Sequence, residues 1–147
     1  MPRSSKLDLA DYMPYLVNRL GVAFVTRFTA DALAARGLGI ADWRVLAVLA
    51  SDGAQRQTDL SELTSIETST TSRVVTRLIR AGLVSRSRNV RNGREVVVRL
   101  TAHGVSAVAQ MTPVAVGLEA QAIRGLSRRE LAAVKRALRS MHAKLTS

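Results

Sequence analysis

Residues 58–100 read TDLSELTSIETSTTSRVVTRLIRAGLVSRSRNVRNGREVVVRL, and this stretch decides the fold. Its apolar spacing and turn residues predict a short helix, a turn, a second helix and then a two-stranded hairpin. Between Arg73 and Arg99, eight arginines stand against one acid, Glu95, which gives these 27 residues a net charge of +7 out of +11 for the whole chain. A helix-turn-helix followed by a basic hairpin is typical of winged DNA-binding regions, in which the second helix enters the major groove.

Capping and turn residues set the expected boundaries of these elements. We expect a helix over 59–64 with Thr58 as its N-cap, a turn at Ser65-Ile66, a helix over 67–81 that ends at Gly82, and strands over 84–90 and 94–100 joined by Asn92-Gly93. On the second strand, Val96, Val98 and Leu100 should share one face, because side chains alternate along a strand.

Further helices are expected on both sides of this stretch. They cover 8–36, 42–50, 102–123 and a last segment that Ser127 caps, with Glu130 completing a capping box. Pro14 leaves a later start or a kink of the first helix open, and Pro113 predicts a kink in the helix over 102–123. The last helix carries an apolar stripe whose spacing favours a shared helical interface over packing within one chain: Leu131, Val134, Leu138, Met141 and Leu145.

The fold class that follows is mainly α with a small β-hairpin wing. Residues 1–147 are expected to form a single unit, since this length is typical of one domain. Within it, 40–100 make the winged helix-turn-helix region, and the N- and C-terminal helices, over 7–37 and 102–147, form a helical dimerisation region. An apolar content of 47% indicates a packed core rather than a disordered chain.

The second helix of the motif has one apolar side and one small, polar and basic side. Short hydroxyl side chains let the backbone approach DNA closely, and a forked arginine can reach both acceptors of a guanine edge. We assign base edges to Ser69, Thr70 and Arg73, and mainly phosphate or sugar to Thr71, Ser72, Thr76, Arg77 and Arg80. The wing adds Arg94 and Arg91. A solvated, arginine-rich face is the plainer explanation, and the neighbouring capped helix and basic hairpin disfavour it.

The order of these motifs resembles the MarR family of bacterial transcription regulators over nearly the whole chain. The resemblance is carried by 42–49 (DWRVLAVL), 58–63 (TDLSEL), 68–78 (TSTTSRVVTRL), 81–84 (AGLV), 96–101 (VVVRLT) with Gly104, 125–127 (GLS) and Glu130-Leu131. It implies a homodimer that binds a pseudo-palindromic promoter site, usually as a repressor. It also implies release of DNA when a small, often aromatic or phenolic, acid binds between the winged and dimerisation parts.

The wing tip departs from the family pattern. Family members usually carry an aspartate followed by a basic pair there, and the matching positions hold Asn92, Gly93 and Arg94. The minor-groove arginine carries over to Arg94, whereas the anchoring aspartate does not, because Asn92 has no charge. The wing is therefore either more mobile than in the family or held at its tip by hydrogen bonds.

A pocket for an effector is expected between the first, second and fifth helices. The candidates that line it are Tyr12, Tyr15, Arg19 and Trp43, because an arginine would pair with a carboxylate and Trp43 would stack on an aromatic ring. Core packing remains the alternative for Trp43, and a plain surface charge remains the alternative for Arg19. No sequence feature selects the effector.

Other classes of protein are disfavoured by what the sequence lacks. It has no cysteine, its two histidines (His103 and His142) lie in different segments, and no phosphate loop or nucleophile-base arrangement points to an enzyme. Neither a metal nor another cofactor is expected. No apolar run is long enough for a membrane span or a signal peptide, so we expect a cytoplasmic protein. The alternative function is an architectural protein that coats DNA, which the small polar helix face disfavours.

Overall fold

The computed structural model describes residues 6–88, 91 and 93–147, and the chain divides into two units, Met1–Ala115 and Val116–Ser147. The first unit contains α1 (Met13–Phe28), α2 (Ile40–Asp52), β1 (Gln55–Arg56), α3 (Gln57–Thr64), α4 (Thr68–Arg80), β2 (Val84–Arg88), β3 (Val96–Leu100) and most of α5 (Ala102–Ala122). The end of α5 and α6 (Arg128–Thr146) belong to the second unit. The fold is thus mainly α with a small antiparallel sheet, which confirms the predicted class.

Of the first predicted helix, 8–36, only Met13–Phe28 is a regular α-helix. A 3-10 turn, Leu9–Asp11, comes first, and α1 itself begins at Met13, directly before Pro14. Because proline has no backbone N–H to donate, it fits the first turn of a helix and not its interior, so the later start is the one observed. After α1 the chain continues as a π-helical turn and then a 3-10 turn, Thr29–Leu33 and Ala34–Arg36.

The helix-turn-helix is built from α3 and α4, which pack against α2. Ser65 follows α3 in the left-handed conformation, with φ of 56°, and turns the chain into α4, as the predicted turn requires. α2 begins at Ile40 rather than at the predicted Asp42. The reason is that the Asp42 carboxylate accepts the backbone N–H of Gly39 at 2.8 Å and so closes the first turn of the helix from inside it.

Thr58 is not the N-cap of α3, contrary to the sequence-based expectation. α3 begins at Gln57, and Arg56 occupies the N-cap position without a side-chain hydrogen bond to the helix backbone. Arg56 and Gln55 form β1, which pairs antiparallel with β3 at Val97 and Val98. This pairing fixes the chain just before α3, and the helix therefore starts one residue before Thr58.

Three strands form the sheet in the order β1-β3-β2, where the sequence predicts only the two of the hairpin. The pairs at the ends of the hairpin ladder are Val84 with Leu100 and Arg88 with Val96. β3 begins at Val96 rather than at the predicted Arg94. The predicted end of β2, Val90, and the predicted turn residue Asn92 lie outside the described residues. Along β3, Val98 is fully buried, which agrees with the predicted alternation of faces.

The core of the first unit fixes α4 by its inner side. Side chains with at most 2% of their surface exposed come from most of its elements: Leu33, Val45, Leu46, Leu60, Val74, Val75, Leu78, Val98 and Met111. Burying each aliphatic side chain of this size stabilises the fold by about 1.5–3 kcal/mol. The inner side of α4 is therefore committed to packing, and its outer side is left for other contacts.

The beginning of α5 crosses closely over the end of α4. The Thr101 hydroxyl donates to the carbonyl of Gly82 at 2.6 Å and accepts the N–H of Gly104 at 3.0 Å. A Cβ atom at position 104 would overlap the carbonyl oxygen of Leu83. Glycine is therefore required where α5 passes the turn that leads into the wing.

In the second unit, α6 carries the predicted capping box. The Ser127 hydroxyl accepts the N–H of Glu130 at 3.1 Å, and the Glu130 carboxylate accepts the N–H of Ser127 at 3.1 Å. The apolar stripe of α6 is only partly covered in the single chain, since Val134 and Leu138 are each 45% exposed and Leu145 is 86% exposed.

Candidate nucleic-acid interface

The outer side of α4 presents a row of polar and basic side chains. Val74, Val75 and Leu78 hold the inner side in the core, and the residues opposite them border a groove of about 360 Å³: Ser72, Arg73, Thr76, Arg77 and Arg80. The groove is open to solvent, and α4 contains no acidic residue that would repel a phosphate. The groove thus brings together five of the ten residues that the sequence assigns to DNA.

Local hydrogen bonds orient several of these side chains. The Arg73 guanidinium donates through Nη2 to the Thr70 hydroxyl at 3.2 Å, which directs the arginine toward the N-terminal part of α4. The Thr76 hydroxyl donates to the carbonyl of Ser72 at 3.0 Å, and the Ser69 hydroxyl donates to the Glu67 carboxylate at 3.0 Å. Each hydroxyl oxygen keeps acceptor capacity, and Arg73 keeps further N–H groups for another partner.

Thr71 corrects the sequence-based assignment, because it lies on the buried side of α4. Its side chain is 1% exposed, and its hydroxyl donates to the carbonyl of Glu67 at 3.0 Å. Its backbone N–H is bonded to the same carbonyl at 2.8 Å. Neither group is available to a phosphate, so Thr71 stabilises the start of α4 and is removed from the set of DNA contacts.

Arg77 has a partner that the sequence does not reveal. Its guanidinium binds the carboxylate Oδ1 of Asp42 through Nη2 at 2.5 Å and through Nε at 3.1 Å. The Asp42 side chain is 2% exposed, while the Arg77 side chain is 56% exposed. One carboxylate therefore closes the start of α2 and holds the last turn of α4, and Arg77 has a structural role beside any contact with DNA.

The wing borders a second concave region next to α4. A cleft of about 480 Å³ separates them, and its lining comes from β1, α3, α4 and the wing: Arg56, Gln57, Thr58, Thr68, Ser72, Arg94, Glu95 and Val96. Arg91 and Arg94, the two predicted wing contacts, are both exposed. The Asn92 position, where the sequence departs from the family, lies outside the described residues.

Arg56 and Glu95 are the members of this region that sequence reasoning misses. The Arg56 guanidinium binds Asp59 at 2.8 Å and Glu95 at 3.3 Å, and so joins the start of α3 to the wing. These hydrogen bonds and charges, first Asp59 and then Glu95, raise the pKa of Arg56 above its usual value. The sequence feature that could have indicated this ion pair is Glu95 itself, because it is the one acid within an arginine-rich segment.

The four effector candidates do not meet at one place in the chain. Arg19 stacks over the Tyr15 ring at 5.8 Å, near the beginning of α1, where Tyr12 is also exposed. Trp43 instead packs on Phe28 at the end of α1, with ring centroids 4.8 Å apart. Thirteen residues of helix separate Tyr15 from Phe28, which is roughly 20 Å along the axis. A single small pocket formed by all four in one chain is therefore excluded.

The described part of the chain has neither a metal-binding cluster nor a helix that could span a membrane. Within 6–88, 91 and 93–147, no group of three His, Asp or Glu side chains could hold a metal ion. In the same part of the chain, no helix combines the length and the apolar character that crossing a membrane requires.

Comparison with protein families finds one match. A sequence model described as the MarR family matches residues 38–96, which extend from the loop before α2 to the first residue of β3. The matched segment therefore includes the whole helix-turn-helix and the tip of the wing. A comparison with curated proteins found no match.

Several solved structures are similar over almost the whole chain. A MarR family transcriptional regulator from Silicibacter pomeroyi DSS is 27% identical, with a TM-score of 0.86 over 99% of this chain and 97% of that one. Bordetella bronchiseptica BpsR, whose DNA binding is regulated by 6-hydroxynicotinic acid, is 29% identical, with a TM-score of 0.78 over 88% of this chain and 97% of its own. The PcaV transcriptional regulator from Streptomyces coelicolor, solved with its natural ligand, is 23% identical, with a TM-score of 0.82 over 95% and 97%, and shows the fold alone.

Proposed function

We propose that the chain is a homodimeric repressor of the MarR type, since a MarR family model matches residues 38–96 and similar solved structures are MarR family regulators. It represses a nearby operon by binding a pseudo-palindromic operator, and it leaves the operator when a small aromatic acid binds. The observation that carries the DNA-binding part is the exposed polar and basic side of α4, next to the cleft bordered by Arg94. An arginine- and hydroxyl-lined helix suits the major groove, and an arginine on a wing suits the backbone or minor groove beside it.

Within this interface we assign base edges to the N-terminal part of α4, where Ser69, Thr70 and Arg73 lie. The hydrogen bond from Arg73 to Thr70 supports that assignment, because it places the guanidinium over the first turns of the helix. Ser72, Thr76 and Arg80 would bind phosphate or sugar, and Arg77 would do so with the N–H groups that Asp42 leaves unused. Arg94 and Arg91 would contact DNA from the wing.

Dimerisation is supported by apolar surface that the single chain leaves exposed. On α1, Leu16 and Leu20 are 50% and 55% exposed, and on α6 Leu138 is 45% exposed. Water contact with rows of aliphatic side chains is unfavourable, and a second copy would remove it. A dimer that reads successive major grooves would hold its two α4 helices about 34–36 Å apart.

An aromatic acid is the proposed class of effector because BpsR, a similar protein, is regulated by 6-hydroxynicotinic acid. In this chain, Arg19 beside Tyr15 offers a cation next to an aromatic ring, which suits a carboxylate on a ring. Trp43 and Phe28 offer a separate aromatic surface. Tyr12 remains a further candidate on α1.

Selection of bound sequences from a random duplex library, at about 150 mM salt, tests the proposal. The expected result is a palindrome whose half-sites lie about 10 base pairs apart, since a two-fold dimer reads a two-fold site. Equally tight binding to every duplex would contradict the proposal and favour the architectural alternative. The short polar side chains on α4 argue against that alternative, because charge alone would suffice to coat DNA.

A further inference from the structure

We propose that Arg88, together with the ion pair between Glu95 and Arg56, positions Arg94 for DNA. This proposal rests on the proposed function, in which Arg94 contacts the operator. The residues immediately before and after Arg94 are each held by an arginine from another strand of the sheet. We call these two contacts, Arg88 with Gly93 and Arg56 with Glu95, the bracket around Arg94. In this arrangement Arg88, Glu95 and Arg56 are positioning residues.

The tip side of the bracket is a hydrogen bond across the hairpin. Arg88 ends β2 opposite Val96, and its Nη1 donates to the carbonyl of Gly93 at 3.0 Å. Gly93 directly precedes Arg94, so the bond fixes the peptide unit that leads into the contact residue. A hydrogen bond at this place provides an anchor that does not need the aspartate of the family pattern.

The base side of the bracket is an ion pair to a fixed point of the fold. Glu95 accepts from Nη1 of Arg56 at 3.3 Å, and its side chain is 27% exposed. The Arg56 backbone is paired with Val97 of β3, and its guanidinium is forked onto Asp59 through Nε at 2.8 Å and Nη2 at 3.4 Å. Because Arg56 is held by its backbone pairing and by the Asp59 carboxylate, Glu95 is tied to the start of α3.

The charge of Glu95 makes the positioning role testable. Glu95 is the only acid from Arg73 to Arg99, and it borders the same cleft as Arg94. A carboxylate beside a phosphate contact repels DNA, so on charge alone its removal should strengthen binding to every duplex. If Glu95 instead positions Arg94, its removal should weaken binding to the specific duplex while strengthening binding to others.

The first experiment compares Glu95→Gln with wild type by fluorescence anisotropy at about 150 mM salt. The probes are a duplex recovered by the library selection and a scrambled duplex of equal length and composition. We expect affinity for the selected duplex to fall about 2–5-fold, the size expected for one partly exposed ion pair, and affinity for the scrambled duplex to rise. Glu62→Gln, which removes an exposed acid of α3 outside the bracket, is the charge-matched control and should not lower specific binding.

A double-mutant cycle tests Arg88. We expect Arg88→Ala to weaken binding to the selected duplex at least about threefold in the wild-type background and by less than about 1.5-fold when Arg94 is already alanine, because a positioning residue acts through the residue it positions. Arg86→Ala removes the same charge two residues away on β2 and should weaken binding equally in both backgrounds. Thermal melts of each variant separate these effects from loss of folding.

The outcomes distinguish this inference from the proposed function. Unchanged binding of Arg94→Ala would remove the wing contact itself and the bracket with it. If Arg94→Ala weakens binding but Glu95→Gln strengthens binding to both duplexes, the ion pair has only an electrostatic effect and the positioning role is wrong. Additive losses for Arg88→Ala and Arg94→Ala would show that Arg88 binds DNA on its own.

Discussion

Two arginines one helical turn apart on α4 differ in what they hold. Arg73 donates to the hydroxyl of its neighbour Thr70, whereas Arg77 covers the buried carboxylate of Asp42. A buried charge that loses its partner is costly, and partial exposure of the pair moderates the cost. We therefore expect Arg77→Ala to lower the free energy of unfolding by about 1–3 kcal/mol. Urea denaturation followed by circular dichroism measures this.

Arg73→Ala is the matched control on the same helix. Its free energy of unfolding should stay within about 0.5 kcal/mol of wild type, as is usual for an exposed position. In operator binding the order reverses, since Arg73→Ala should cost about 1–3 kcal/mol and relax base preference at one position in each half-site. Equal stability of the two variants would show that the bond to Asp42 contributes nothing to folding.

At the residue scale, the sequence predicts a side of a helix better than it predicts individual partners. Most hydroxyl and arginine positions of α4 are on the expected side, because a 3.6-residue period fixes direction. Thr71 is wrong because its residue type suggested a contact while its position on the wheel was apolar. The pairing of Arg77 with Asp42 and that of Arg56 with Glu95 join residues far apart in sequence, and no local pattern encodes such distances.

Among the helices, α5 offers a paired test of close packing. Gly104→Ala would force a methyl group onto the carbonyl of Leu83, and Leu100 lies 3.2 Å from the same point. Since overpacking against backbone cannot be relieved by a side-chain rotation, we expect a loss of stability of about 1–3 kcal/mol or more. Gly117→Ala makes the same change further along α5, where nothing lies within 4 Å.

The control variant Gly117→Ala should change the stability in the opposite direction from Gly104→Ala. Alanine is favoured over glycine in a helix interior by about 0.5–1 kcal/mol, so Gly117→Ala should raise the melting temperature while Gly104→Ala lowers it. Differential scanning calorimetry at one protein concentration compares the two. Equal shifts in the melting temperature of the two variants would mean that the backbone at Leu83 moves aside for the added methyl group without loss of stability, which would contradict this expectation.

The capping box of α6 should make its stability depend on acid. The hydrogen bonds from Ser127 lower the pKa of Glu130 below its ordinary value of 4.5. A lowered pKa means that the stabilisation is complete well above pH 4.5 and is lost as the pH falls through the lower value of the folded state. We expect Glu130→Gln to narrow the difference in helicity between pH 6 and pH 3.5, measured by circular dichroism. Glu119→Gln, whose carboxylate closes no capping box, should leave that difference unchanged.

Element types follow from the sequence more closely than element ends do. All six predicted helices and both predicted strands are present, because periodic burial of apolar side chains sets them. The start of α1 depends on Pro14, and the start of α3 depends on pairing between β1 and β3. β1 has only two residues, too few for a recognisable strand pattern in the sequence. The irregular turns between α1 and α2 likewise come from tertiary packing around buried Leu33.

For the whole molecule, the proposed dimer can be tested through the stripe on α6. Leu138→Glu places a charge within the exposed apolar row, so burial in an interface becomes costly. We expect sedimentation velocity to show monomers at micromolar concentration and operator affinity to fall with them. Ser140→Glu adds the same charge on the opposite side of α6 and should remain dimeric. A dimer that survives Leu138→Glu would remove α6 from the interface.

How much of the site follows from sequence depends on its scale. The arginine-rich segment and the apolar stripe of α6 are visible as composition and spacing, so DNA-binding regulation was predictable as a class, and self-association stays a prediction. The effector region was not predictable, because Tyr15 lies near the beginning of α1 whereas Trp43 of α2 packs on Phe28 at the end of α1. The positions of aromatic residues along the sequence do not show this separation. The bracket around Arg94 likewise requires the sheet register.

The crossing at Gly104 has a consequence for how mutations distribute over this protein. Every amino acid except glycine has a Cβ, so each missense change at position 104 meets the same carbonyl of Leu83. In a saturation-mutagenesis library scored by repression, position 104 should therefore appear as intolerant as Arg73. Only a parallel score for protein abundance would separate the two, since variants at 104 would disappear from the cell and variants at 73 would accumulate without activity.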